Sequence, residues 1–392
     1  MKHSGGFAMK KKCVYVLLIC ILTLSIGVYV SLDVYADPAF EINAKSAVLM
    51  EASTGQVLYE KNGHEKLPPA SVTKVMTMLL IMEALEYNKI ALDDIVTCSE
   101  YASSMGGSQI YLAAGEKMSV EDLLKAIAVA SGNDASVAMA EHIYGSEEAF
   151  VKAMNDKAKA LGMNNTHFVN CNGLDAEEHY TTAYDIALMS RELLKYTKIH
   201  DYLTIWMDTL RDGQFGLANT NKMIRFYEGA TGIKTGSTSK ALYCLSASAK
   251  RNDMQLIATI MAAPTSQDRF SYASKLLDNG FANYTVLAGI KEGATLGEIE
   301  VLKGMMSSAR LQAESEFEML VEKGKEKEVK KIVSISENIL APVEQGQKAG
   351  EIKFELGGKE LGRVNIITSQ SVKKITVGKV FSKMVQRWLN AR

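Results

Sequence analysis

A serine hydroxyl is a poor nucleophile until a base takes its proton, and this chain sets Lys74 three residues after Ser71. Ser131-Gly132-Asn133 and Lys234-Thr235-Gly236 follow downstream. A lysine at the mouth of an apolar helix loses hydration, which lowers its pKa and lets it accept the serine proton. Ser131 can relay a proton to a leaving amine, and Asn133 can orient Lys74 or a substrate amide. An exposed Lys234 with the Thr235 hydroxyl suits a substrate carboxylate, while Gly236 lets a strand edge approach the ligand closely. The backbone N–H groups of Ser71 and Ser237 can then bind an oxyanion. Together these residues describe acyl transfer on a serine.

Each motif alone has a plainer reading. Ser-x-x-Lys occurs at Ser71, Ser237 and Ser371; by itself it is equally a helix N-cap serine with a snorkelling lysine. Only the Ser71 match opens a helical pattern, so the other two take the plain reading. Ser131-Gly132-Asn133 is also what a helix C-cap followed by an N-cap looks like, and Lys234-Thr235-Gly236 fits a β-turn. Lys-Thr-Gly is expected only about 0.1 times by chance in a chain of this length. Order and local context, more than any one string, carry the chemical reading.

The elements that must hold these residues are legible from periodicity. Ser46–Glu51 and Gln56–Glu60 read as a hairpin across Ala52-Ser53-Thr54-Gly55. After Pro68-Pro69, Ser71 to Leu85 reads as a helix. Between Val75 and Met82 only Thr77 is polar, which predicts a helix buried on all sides. Ser119, Ser146 and Thr182 each precede a helical pattern, with acidic residues in the turns that Ser119 and Ser146 open. Short β-compatible runs follow at Ile233–Lys234, Tyr243–Ala249 and Leu256–Ala262, and Ser266 to Leu277 closes the region as a helix. Beyond Tyr284 the pattern changes to evenly spaced strands with glycine turns at Leu296–Leu302, Glu328–Ser334, Ile352–Leu356 and Arg363–Thr368. That change predicts a second, all-β domain. The expected division is residues 1–36, 37–284, 285–377 and 378–392.

The two ends speak to location. Lys2, Lys10, Lys11 and Lys12 precede an apolar run from Cys13 to Leu32, and Val34-Tyr35-Ala36 offers small residues for cleavage after Ala36. This is the layout of an export signal; an uncleaved transmembrane anchor is the alternative. Both put the rest of the chain outside the cytoplasm. At the C-terminus Phe381, Met384, Val385, Trp388 and Leu389 recur at helical spacing, flanked by Lys379, Lys383 and Arg387. A basic amphipathic helix there reads as an interfacial anchor on the outer face of the membrane, or else as a helix docked on the β domain. The formal net charge is −1 with no dense basic segment, which speaks against nucleic acid as a partner. Cys98, Cys171 and Cys244 are too few and odd for a disulfide framework. The histidines are scattered without metal-ligand spacing, so neither a metal nor another cofactor is expected.

The three motifs in this order resemble the penicillin-recognising serine enzymes. Their neighbours narrow the likeness. Pro69-Ala70-Ser71-Val72-Thr73-Lys74-Val75-Met76-Thr77, Ala130-Ser131-Gly132-Asn133-Asp134-Ala135, the stretch from Leu161-Gly162-Met163 to Asn172-Gly173-Leu174-Asp175, and Gly232-Ile233-Lys234-Thr235-Gly236 are similar to the D-alanyl-D-alanine carboxypeptidases, the low-molecular-mass penicillin-binding proteins. The resemblance covers nearly all of the chain after residue 36. It implies an α+β fold: a β-lactamase/transpeptidase-like domain with an antiparallel sheet flanked by helices, then a small C-terminal all-β domain.

The resemblance also implies a reaction. Ser71 attacks the penultimate D-alanine carbonyl of a peptidoglycan stem peptide with Lys74 as base, the terminal D-alanine leaves, and water releases the acyl group. Lys234 and Thr235 hold the terminal carboxylate, with Arg269 a second candidate for that task or else a surface residue at a helix start. β-Lactams are expected to acylate Ser71, and the enzyme to act as a monomer. Cys171 and Ser237 stand where that family often has proline and histidine, which bears on substrate preference. A β-lactamase shares the motifs, but its Glu-x-x-Leu-Asn string is absent between Asn133 and Lys234. An endopeptidase or transpeptidase acting on cross-links and a non-catalytic wall-binding scaffold are the remaining alternatives.

Overall fold

The computed structural model describes residues 41–390, so the expected export signal lies outside the described residues. Strands buried along most of their length build the first sheet. β1 (Ser46–Glu51), β2 (Val57–Lys61), β3 (Ala230–Thr238), β4 (Leu242–Arg251) and β5 (Met254–Ala263) pair antiparallel in the order β2-β1-β5-β4-β3. Successive side chains of a strand point to opposite faces, and both faces here are covered. Leu256, Ala258 and Ile260 pack with Leu276 and Leu277 of a closing helix, while Ile257 and Met261 face a helical layer on the other side.

That layer is built around α1 (Lys74–Glu86), every residue of which from Lys74 to Met82 is buried. Around it stand α2 (Val120–Lys125), α3 (Asn133–Tyr144), α4 (Glu147–Ala160) and α5 (Ala183–Leu193). Ser119, Ser146 and Thr182 cap α2, α4 and α5 by accepting the backbone N–H three residues on, as their sequence positions predict. α6 (Ser266–Asn283) covers the opposite face of the sheet. The fold is therefore α+β, with an antiparallel sheet flanked by helices.

The chain then becomes all-β. β6 (Tyr284–Ile290), β7 (Thr295–Leu302), β8 (Ser308–Ala313), β9 (Phe317–Glu322), β10 (Lys330–Ile335), β11 (Asn338–Leu340), β12 (Lys348–Leu356) and β13 (Lys359–Thr368) follow in order. β6 pairs with β9, and the others form a six-stranded sheet ordered β10-β12-β13-β8-β7-β11. Alternating inward residues such as Ile299, Val301, Leu311, Ile352, Phe354 and Ile366 make its core. The chain closes with α7 (Val377–Asn390), whose Phe381, Met384, Trp388 and Leu389 are more than half exposed.

Candidate active site

The sequence places the start of the nucleophile helix at Ser71; the structure moves it. Ala70–Thr73 is a 3₁₀ turn, and α1 begins at Lys74. In 3₁₀ geometry side chains three apart eclipse one another, and Lys74 Nζ accordingly lies 3.1 Å from Ser71 Oγ. Nζ also reaches Asn133 Oδ1 at 2.5 Å and the Asn172 carbonyl at 2.6 Å. Three acceptors satisfy an ammonium group. After one proton is lost, Asn133 Oδ1 and the Asn172 carbonyl can only accept, so they keep the two N–H groups. The lone pair is left facing the one neighbour able to donate, the Ser71 hydroxyl. Asn133 is oriented for this, since its Nδ2 donates to the Gly106 carbonyl at 2.6 Å and leaves Oδ1 for lysine. Burial lowers the Lys74 pKa to about 7, with Asp134 opposing.

Loops brought from far along the chain fix the nucleophile turn. Thr73 Oγ1 donates to the Ala70 carbonyl at 2.9 Å and meets His179 Nε2 at 2.8 Å. His179 Nδ1 accepts the Val169 N–H at 3.0 Å, so the ring proton sits on Nε2 and is donated to Thr73. Burial lowers the His179 pKa to about 4 and keeps the ring neutral. Gly173, at φ +87°, lies against the same turn: a Cβ there would stand 2.0 Å from the Ala70 carbonyl oxygen. Thr77 Oγ1, one helical turn further on, donates to the Cys171 carbonyl at 2.5 Å.

Ser131 sits where the sequence predicts a break between helices. A π-helical turn at Ala126–Ala130 ends in Ser131 at φ 64°, and Gly132 leads into α3. Its hydroxyl is buried with no hydrogen-bond partner among the described residues, an arrangement that calls for an explanation in a folded protein. Next to it the buried Asp134 carboxylate accepts the N–H groups of Ile110, Leu112 and Ala135, which pins the loop before α2 to the start of α3.

Lys234, Thr235 and Gly236 lie within β3 rather than in a turn. The expected exposure of Lys234 is corrected: the side chain is only 1% exposed. The reason is a covered sheet edge. β3 is terminal in the sheet, but the 3₁₀ turn carrying Ser71 lies on it, and Asn221 Nδ2 donates to the Gly232 carbonyl on the same strand. Gly236 permits this closeness: a Cβ there would stand 2.8 Å from the Pro69 carbonyl oxygen and 2.9 Å from the amide nitrogens of Ser71 and Val72. Lys234 Nζ donates to the Thr235 carbonyl at 3.1 Å. Burial holds the Lys234 pKa well below the usual lysine value, and repulsion from Lys74 and Arg269 adds to this.

Thr235 Oγ1 donates to Thr220 Oγ1 at 2.7 Å, and the Thr220 N–H donates to the Val129 carbonyl at 3.2 Å. Thr220 thus couples the strand to the turn that ends in Ser131. Ser237 is exposed at the next position. Arg269 is not the surface residue that its place near a helix start allows; it is 7% exposed. Its guanidinium donates to the carbonyls of Gly236 and Cys244 at 3.0 and 3.3 Å and to Ser266 Oγ at 3.2 Å. Arg269 thereby braces β3 against β4. Asn172, His179 and Thr220 escaped the sequence reading of the site. The Asn172 and His179 contacts to the nucleophile segment span 98 and 106 residues, with no local spacing signal.

Lys74 and Arg269 lie close enough to Lys234 to disfavour its charged form, and each adds positive charge beside the strand when it holds its proton. Such a field favours a substrate carboxylate. Comparison with known proteins shows the family. Residues 33–265 match the peptidase S11 family, D-alanyl-D-alanine carboxypeptidase, and residues 286–374 match the C-terminal domain of penicillin-binding protein 5. The chain is 46% identical over 360 residues to D-alanyl-D-alanine carboxypeptidase DacF of Bacillus subtilis, covering 91% of this chain and 92% of that protein. It is 35% identical over 345 residues to DacC of Escherichia coli, covering 85% of each. Penicillin binding protein 5 from Haemophilus influenzae superposes with a TM-score of 0.79 at 32% identity, covering 86% of this chain and all of that one. With both of its domains matched and 46% identity over nearly the whole length of a curated relative, the chain belongs to the D-alanyl-D-alanine carboxypeptidase family of serine peptidases.

Proposed function

We propose that this enzyme removes the terminal D-alanine from peptidoglycan stem pentapeptides through an acyl-enzyme on Ser71. The observation that carries the reading is the 3.1 Å contact of Lys74 Nζ with Ser71 Oγ, with Asn133 and Asn172 occupying the other two Nζ directions. The free amine of Lys74 takes the Ser71 proton as Oγ attacks the penultimate D-alanine carbonyl. Backbone N–H groups of Ser71 and Ser237 receive the oxyanion, which the close approach of β3 to the nucleophile turn supports. Ser131, whose buried hydroxyl lacks a partner among the described residues, relays the proton held by Lys74 to the departing D-alanine nitrogen, giving up its own proton and receiving that of Lys74. Lys234 and the Thr235 hydroxyl hold the substrate carboxylate, and ion pairing restores the charge that burial suppresses on Lys234. Arg269 sustains the positive field from behind the strand. Water then attacks the acyl-enzyme carbonyl and frees Ser71.

β-Lactams fit the same geometry, because their carboxylate and strained amide present the groups that Lys234 and Ser71 act upon. In this reading residues 1–36 export the chain and are removed after Ala36, so the enzyme works at the outer face of the cytoplasmic membrane. Residues 37–284 carry the peptidase, 285–377 the β domain, and 378–392 an amphipathic anchor; the exposed apolar face of α7 supports the last of these. One chain holds the whole site, which supports a monomer.

Mass analysis of purified muropeptides incubated with the enzyme tests the reading. Loss of one D-alanine from pentapeptides is the expected result. Cleavage of cross-links without that loss points instead to an endopeptidase.

A further inference from the structure

The loop between β7 and β8 places Met305 and Met306 in solvent, 39% and 43% exposed. Leu302 and Leu340 lie beside it as directly paired residues of β7 and β11, 39% and 57% exposed. Four large apolar side chains thus gather at one edge of the C-terminal sheet, where isolated exposure would be ordinary but a cluster marks an interaction site.

The place of this cluster in the chain is informative. The Met305 N–H donates to the Lys373 carbonyl and the Ile375 N–H to the Lys303 carbonyl, each at 2.8 Å, with a bridge between Gly304 and Lys374. The loop is therefore stitched to the segment that runs directly into α7 at Val377. Four exposed lysines surround it, Lys303, Lys373, Lys374 and Lys379, while the carboxylates of Glu300 and Glu344 lie further along the neighbouring segments. From Leu361 to the C-terminus the sequence contains no Asp or Glu. An apolar centre with a lysine rim complements an anionic lipid surface, where acyl chains receive the methionines and headgroups the ammonium groups.

We propose that the Lys303–Met306 loop is a second lipid-binding element, which inserts beside the root of α7 and fixes how the β domain stands on the membrane. The inference rests on the reading of α7 as an anchor. It adds that the helix is not a free tether: the folded domain itself touches lipid, so the height and tilt of the catalytic cleft are set.

An environment-sensitive fluorophore on the Met306→Cys variant of the full chain, mixed with vesicles of phosphatidylethanolamine and phosphatidylglycerol, tests this. The label is expected to shift to the blue and to be quenched by brominated acyl chains. The same label on an Asp253→Cys variant, in the peptidase domain, is expected to do neither. Met305→Glu/Met306→Glu should weaken vesicle partition by roughly tenfold, since part of the burial of two methionines is lost. Hydrolysis of a soluble D-alanyl-D-alanine peptide should be unchanged. A label at position 306 that stays in water while the protein floats with the vesicles overturns the loop proposal and leaves the helix anchor standing. Failure of the unsubstituted protein to bind vesicles overturns both.

Discussion

Lys74 Nζ lies 3.1 Å from Ser71 Oγ, and its two remaining partners, Asn133 Oδ1 and the Asn172 carbonyl, can only accept hydrogen bonds. This pairing aims the lysine lone pair at the serine proton, and burial brings the amine into a range where it is free near neutral pH.

The first consequence concerns pH. Lys74 is a base only when neutral, so acylation of Ser71 should increase as pH rises through about 7 and level off above. Lys74→Arg keeps the charge and the length but cannot release a proton. It should slow acylation by roughly 10²–10⁴-fold, the usual share of a general base. Stopped-flow acylation by a chromogenic β-lactam across pH reads both effects; an acylation rate that stays flat from about one pH unit below neutrality to about two above would remove Lys74 from the role.

Gly236 keeps β3 in contact with the nucleophile turn. In Gly236→Ala the new Cβ meets Ser71 N at 2.9 Å and the Pro69 carbonyl at 2.8 Å, both backbone atoms that cannot step aside cheaply. Displacement of about 1 Å between strand and turn should reduce kcat by roughly a hundredfold. Gly216→Ala, with nothing within 4 Å of the new methyl, should leave kcat unchanged. Equal activity of the two variants would show that the contact does not matter.

Lys234 is assigned to the substrate carboxylate, so its loss should depend on that group being present. Lys234→Met should lower kcat/KM for a D-alanyl-D-alanine peptide by roughly a hundredfold, the worth of about 2.7 kcal/mol in a buried charged contact. The same variant and the parent enzyme should hydrolyse the C-terminally amidated peptide with nearly equal, low efficiency. A full loss on the amidated peptide would assign Lys234 to another task.

His179 links the sequence stretch around Asn172 to the nucleophile turn, and it does so only as the neutral ring. Its folded pKa of about 4 lies below the ordinary 6.5. Between these values the unfolded chain binds a proton that the native state refuses, so stability falls as pH drops from 6.5 toward 4 and the loss is complete below. The linkage is worth about 3 kcal/mol at its limit. Urea titrations of the parent and His179→Gln at several pH values should show the parent losing its advantage over that window. Parallel curves would mean the ring titrates alike in both states.

The sequence exposed the parts of this site that obey local rules. Val75 to Met82 announces a buried helix, Ser119, Ser146 and Thr182 announce caps, and the Ser131 break falls between α2 and α3 because Gly132 and Asn133 suit a helix boundary. Parts that depend on distant contacts were hidden. The burial of Lys234 comes from a turn 163 residues earlier lying on its strand, as 234 − 71 counts it. Thr220 matters because its side chain and backbone join two other elements, and no pattern around it says so. In the C-terminal domain β6, β8, β9 and β11 went unread; β9, for one, pairs with β6 from Tyr284 opposite Glu322 to Ile290 opposite Phe317, with no turn signal tying the two.

Covalent trapping addresses the central assignment most directly. The enzyme is incubated with penicillin, its intact mass measured, and the adduct located by peptide mapping. One penicilloyl group per chain on Ser71, absent from Ser71→Ala, is the predicted result. A folded enzyme that takes no adduct, or takes it on a residue other than Ser71, would contradict the account.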